Sequence, residues 1–247
     1  MENILPIINL NGVFSPDINI TTQSRYYPFS KTYSKFLCPF YFDPCPFTMI
    51  NNLSLILPLL EFNQADDFYM LYIFQRKKDQ ANPEKYTSVK VIKSYCLNSI
   101  DYLEEKMPEI IDLCELFQAR AYIHVRAQNH HEVGLYMIEE ITKRLRNKQY
   151  NQQRIFDKVV GQLKASIKRW IIDVDRKEQS YLDELTELIN KCQPEGDKII
   201  TYIPTKQGWH IISKPFNLKD FNDRYTGEPI DIQKNNPTLL YYPNSLN

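Results

Sequence analysis

Asp173 and Asp175 end an apolar run, Trp170-Ile171-Ile172-Asp173-Val174-Asp175. In a strand, residues i and i+2 project to the same face, so the two carboxylates would stand together. Paired carboxylates repel and raise each other's pKa unless a cation joins them. Such oxygen donors suit a hard divalent ion, Mg²⁺ or Mn²⁺, with water and a substrate phosphate completing the shell. The plainer alternative is a strand end where two aspartates meet solvent. Further on, the turn Thr205-Lys206-Gln207-Gly208 leads into Trp209-His210-Ile211-Ile212. Gly208 is expected to take positive φ there and to admit a ligand. His210 can donate to a phosphate oxygen, or it can be a satisfied core histidine. A third polar residue, Asp231, sits in Pro229-Ile230-Asp231-Ile232-Gln233-Lys234. A carboxylate inside a strand is costly unless it is paired or metal-bound.

In this order the three stretches resemble the motifs of the archaeo-eukaryotic primase superfamily, which includes the primase–polymerases of plasmids, phages and other mobile elements. The stretch covered is about Lys168 to Lys234, with the strands between Phe68 and Val125 as the adjoining half of a core. The resemblance implies an RRM-like mixed sheet carrying the site. It makes Asp173, Asp175 and Asp231 the ligands of Mg²⁺ or Mn²⁺, and gives His210 the phosphates of an incoming nucleotide. The implied activity is metal-dependent nucleotidyl transfer by two-metal chemistry. One ion would activate a primer 3′-hydroxyl while the other clamps the triphosphate and leaving pyrophosphate. Thr205, Lys206, Lys234 and Arg120 are the further candidates for nucleotide binding. The implied partners are a nucleic-acid template, nucleotide triphosphates and replication proteins. Two departures stand out. Gly208 occupies a position where the family often has serine, and 13 residues follow Lys234, too few for a helicase or priming module. Two other classes use similar residues: a catalytically idle nucleic-acid-binding protein with the same sheet, and a metal-dependent nuclease.

The elements that must hold these residues are legible from periodicity. Phe68–Gln75, Ser88–Leu97 and Ala119–Val125 read as strands, with a helix from about Asn98 to Phe117. Its apolar positions are Ile100, Leu103, Met107, Ile110, Ile111 and Cys114, and Pro108 is expected to kink or split it. Two helices follow, about His131–Asn147 and Asn151–Ile167, the second with a core stripe of Ile155, Val159, Leu163 and Ile167. Then come the strand at 169–174, a helix at 180–192, a hairpin through Thr201–Ile212, a helix at 217–225, and strands at 229–233 and 238–243. This pattern gives an α+β class with a mixed sheet and helices packed mainly on one face. Residues 1–66, with Pro28, Pro39, Pro44 and Pro46 close together, read as an irregular N-terminal arm on a core of 67–247.

Charge is balanced, with 30 basic and 30 acidic residues, which removes global basicity as an argument for nucleic-acid binding. Nine Lys/Arg and one acid, Asp157, lie between Lys143 and Arg169, a basic stretch that could follow a template backbone. Trp209 or Tyr202 could stack on a base, with core packing as the alternative for both. The five cysteines form no CxxC pair and read as reduced thiols. His131 lacks the second histidine of HExxH, and no Gly-rich phosphate loop occurs. The apolar stretch Leu53–Leu60 is too short to span a bilayer, and no basic leader opens the chain, so a cytoplasmic protein without membrane contact is expected.

Overall fold

Two antiparallel sheets and six helices build the described part of the computed structural model, residues 49–80, 89–152, 154–163 and 167–243. In chain order the first half runs β1 (Ile50–Asn51), α1 (Leu53–Ile56), β2 (Asp67–Gln75), β3 (Lys90–Leu97), α2 (Ile100–Phe117), β4 (Arg120–Ile123), β5 (Gln128–Asn129), α3 (His130–Arg146) and α4 (Ile155–Gln162). The second half runs β6 (Trp170–Val174), α5 (Gln179–Lys191), β7 (Ile199–Pro204), β8 (Trp209–Ser213), α6 (Leu218–Arg224), β9 (Asp231–Gln233) and β10 (Thr238–Tyr242). The α+β class holds. Residues 1–48 of the expected arm lie outside the described residues. Its remaining part supplies β1, α1 and the buried Ile56, Leu59 and Leu60 to the main core.

The larger sheet has the order β1-β10-β4-β2-β3, with β5 also paired to β2. Its interior strand β2 is apolar or aromatic from Phe68 to Phe74 because both its faces are covered. Tyr69, Leu71 and Ile73 meet Leu103, Met107, Ile110 and Cys114 of α2. Phe68 and Met70 turn to the other side, against Val133 of α3 and Ile155, Val159 and Val160 of α4. Ser99 caps α2 by accepting the Tyr102 N–H at 3.1 Å, and Gln118 ends it in the left-handed conformation. The break expected at Pro108 does not occur: α2 is one helix of 18 residues. Pro108 lies on its exposed side, where water can satisfy the carbonyl left without a donor. The last helix before β6 is shorter than expected, ending at Gln162.

The smaller sheet has the order β7-β8-β6-β9, and every pairing in both sheets is antiparallel. A single mixed sheet was the expectation, and connectivity explains the difference. The crossover β6-α5-β7 leaves a gap between two like-directed strands, and β8, the hairpin partner of β7, fills it. The crossover β8-α6-β9 straddles β6 in the same way. Like-directed strands are therefore never neighbours. Helices α5 and α6 cover one face, where Ile172, Val174 and Ile211 pack on Leu182, Leu185, Ile189 and Phe221. On the opposite face Ile171, Ile203 and Ile212 join the core of the larger sheet.

Buried polar groups tie the two sheets together. Asn52 donates from Nδ2 to the carbonyls of Leu239 (2.9 Å) and Pro204 (3.0 Å). Arg169 donates to the carbonyls of Leu59 and Val125 and pairs with Glu61 at 2.6 Å. Arg126 closes the end of α4 through the carbonyls of Val160 and Leu163, and reaches Asn235 before β10. The basic stretch thus divides on folding. Arg169 is an internal tie, and Arg144 and Lys158 both pair with Glu140, so the three do not share one free basic face. Cys96, Cys114 and Cys192 are free thiols, and no described helix is long and apolar enough to cross a membrane.

Candidate active site

Register decides where the three polar stretches meet. Asp173 of β6 stands directly opposite His210 of β8 on one side and Asp231 of β9 on the other. Ile203 of β7 in turn faces His210. Residues opposite one another in a ladder share a face, so Ile203, His210, Asp173 and Asp231 form one row across four strands. The neighbouring row is Thr201, Ile212, Ile171 and Gln233. That row carries two core isoleucines, so the face changes from apolar to acidic within one pleat. Asp175 follows Asp173 at i+2, just past the end of β6, and is exposed.

The electrostatics follow from this crowding. Burial raises the Asp173 pKa above the usual carboxylate value, and the charges of Asp175 and Asp231 push it further, against the cation of Arg76. Gln233 donates from Nε2 to Asp231 on the same strand. Among the described residues none of the three aspartates is ion-paired with a lysine or arginine, and no set of three acidic, histidine or cysteine side chains forms a ready ligand cluster. The donor set nonetheless suits a hard cation: oxygen ligands only, with like charges that a divalent ion would neutralise.

His210 is 7% exposed, and burial and Arg76 pull its pKa down to about 4. At neutral pH its ring is uncharged and carries one proton. Nε2 lies 3.5 Å from Asp173 Oδ1, and a carboxylate can only accept, so the proton belongs on Nε2. Nδ1 then accepts from the Thr238 hydroxyl, 2.9 Å away and fully buried on β10. A side chain of the larger sheet therefore anchors the ring of a histidine on the smaller one, while the Asp173 carboxylate, which can only accept, favours the proton on Nε2.

The other expected binders divide. Lys206 lies over the Tyr242 ring at 5.3 Å, and Arg120 lies over it at 4.8 Å. Arg120 is buried and committed, its Nη2 being 2.9 and 2.8 Å from the two carboxylate oxygens of Asp79. Lys234 lies over Trp170, on the helix-covered side of the sheet and away from Asp173. Thr205 serves the hairpin: its Oγ1 accepts the Gly208 N–H at 3.0 Å, and its own N–H donates to the Gly208 carbonyl at 2.9 Å. Trp209 and Tyr202 pack on the α5/α6 side, which removes both as stacking platforms beside the aspartates.

Gly208 corrects another expectation. It is not among the positive-φ glycines, and the neighbour its missing side chain admits is backbone. A Cβ there would lie 1.8 Å from the Val174 carbonyl and 2.7 Å from the Arg176 nitrogen. The turn presses onto the end of β6, directly beside the Asp173–Asp175 pair.

Two residues went unassigned in the sequence. Arg76, just past β2, is the cation felt by both Asp173 and His210, and it donates to Tyr122 Oη at 2.5 Å. A basic residue after an apolar strand was visible at Arg76-Lys77-Lys78, but not the sheet it would face. Thr238 opens an apolar strand and carried no signal at all. Comparisons with protein-family models, with curated proteins and with solved structures found no match to this chain.

Proposed function

We propose that the chain is a metal-dependent nucleotidyltransferase of the primase–polymerase type, acting on nucleic acid and nucleotide triphosphates. The observation that carries this reading is the row His210-Asp173-Asp231 across β8, β6 and β9. These residues come from three separate stretches of sequence and meet in the order the resemblance requires. The connectivity β6-α5-β7-β8-α6-β9 with strand order β7-β8-β6-β9 also supports it, because a split β-α-β unit has the same order of elements.

Asp173, Asp175 and Asp231 are the residues that would hold Mg²⁺ or Mn²⁺. Such an ion, when bound, lowers the pKa of an attacking hydroxyl and offsets charge on the phosphates. His210 contributes a neutral N–H donor at Nε2, its ring held by Thr238 at Nδ1, and a phosphate oxygen beside Asp173 would accept from it. Because its pKa is about 4, it donates without exchanging a proton at neutral pH. Arg76 brings positive charge from the larger sheet to the same place, where guanidinium binds phosphate oxygens well. A catalytically idle nucleic-acid-binding protein with the same sheet is the second reading, favoured by the absence of a preformed ligand cluster among the described residues.

Incorporation of labelled nucleotide on a primed template with Mg²⁺ or Mn²⁺ tests the proposal. Asp173→Ala should reduce incorporation by about 10³-fold or more while the circular dichroism spectrum of the folded chain is kept. Template binding without incorporation by the wild type would favour the second reading. Template cleavage in place of extension would make the site a nuclease.

A further inference from the structure

Helix α3 is apolar on two sides. Its inner side meets the core through Val133, Met137 and Ile141. Its outer side carries Leu135 (55% exposed), Ile138 (64%) and Leu145 (51%), with Thr142 between the last two. Their spacing of three, four and three residues aligns them in one stripe about 15 Å long. At 100° per residue the centre of this stripe lies roughly 120° round the helix from the centre of the buried side, so the stripe is a separate apolar strip facing solvent. Beside it a groove of about 570 Å³ runs between α3 and α4, lined by Leu135, Tyr136, Val159 and Leu163.

The charged flank of the stripe names its partner. Exposed Glu132 and Glu139 lie on the N-terminal side of the midpoint of the stripe, and exposed Lys143 and Arg146 on its C-terminal side. A second α3 laid antiparallel would bring each acidic half against a basic half and oppose the two helix dipoles. A parallel pair would set like charges together. We propose that α3 is a self-association surface, on which two copies of this chain pair antiparallel through Leu135, Ile138, Thr142 and Leu145. The surface is independent of the carboxylate row, so this proposal stands or falls apart from the enzymatic one.

Sedimentation equilibrium of the full chain tests it. The expected result is a monomer–dimer equilibrium whose mass doubles as concentration rises. Ile138→Glu/Leu145→Glu, at exposed positions that leave the core intact, should abolish the dimer while keeping the circular dichroism spectrum. Glu132→Lys/Glu139→Lys and Lys143→Glu/Arg146→Glu should each weaken self-association, and mixing these two variants should restore dimers. A wild type that stays monomeric overturns the proposal, whether the stripe is then in water or covered by the chain's own first 48 residues. Dimers unaffected by both the Ile138/Leu145 and the charge variants would overturn it too.

Discussion

The two sheets treat charge in opposite ways. In the larger sheet buried cations meet oxygen atoms: Arg120 is paired with Asp79 within 2.9 Å, and Arg126 gives Nη1 and Nη2 to helix-end carbonyls and Asn235. In the smaller sheet Asp173 stands between another carboxylate and a neutral histidine, with Asp175 two residues on. Compensated charge in a low dielectric makes a fold tolerant of its own polar residues, whereas like charges held together raise its free energy. The first arrangement is one that stabilises the fold. On the proposed reading, a divalent cation would offset the charges of the second.

This contrast can be broken from either side. The largest effect is expected in the larger sheet: Asp79→Ala leaves Arg120 buried and unpaired, and should cost about 3–4 kcal/mol in denaturant unfolding. If that loss is under about 1 kcal/mol, the pair is not the compensation it looks like.

Acid should come next. His210 has its folded pKa lowered from 6.5 to about 4, so the unfolded chain binds the extra proton first. Its contribution is full above pH 6.5 and is lost as pH falls toward 4, on the order of 3 kcal/mol at about 1.4 kcal/mol per unit. His124, brought to about 4 mainly by burial and further by Arg126, adds a loss of the same sign. Comparing pH–stability curves of the wild type and His210→Gln checks this: the variant should be flatter between pH 6.5 and 4.

The smallest effect has the opposite sign. Asp173 has its folded pKa raised, so its ionised form is a burden above that pKa and the burden is relieved on acidification. Asp173→Asn should therefore raise the metal-free melting temperature at neutral pH by about 1–2 °C, corresponding to ~0.5 kcal/mol for a partly exposed group. A lower melting temperature would mean that the carboxylate is compensated after all.

Much of this arrangement could be read from the sequence, for a definite reason. Strand periodicity placed Asp173, His210 and Asp231 in three apolar runs, and a buried face with period two leaves little freedom of register. What periodicity cannot carry is which strand neighbours which. The division into two antiparallel sheets depends on β8 and β6 filling the gaps in two crossovers. The same limit hid Arg76 and Thr238, which reach the site from the other sheet. Gly208 was singled out for a turn, but its reason is close contact with the Val174 carbonyl, a neighbour 34 positions away. Lys234 and Arg120 were chosen for charge, which says nothing about the aromatic ring or carboxylate each one meets. Pro108 follows a local rule that an exposed helix face sets aside.

Titrating Mn²⁺ into the wild type, Asp173→Asn and Asp231→Asn, with the free ion followed by electron paramagnetic resonance, tests the account most directly. Saturable binding by the wild type, weakened at least tenfold in both variants, is the predicted result. Equal binding in all three proteins, or none in any, would contradict the view that these carboxylates share a cation.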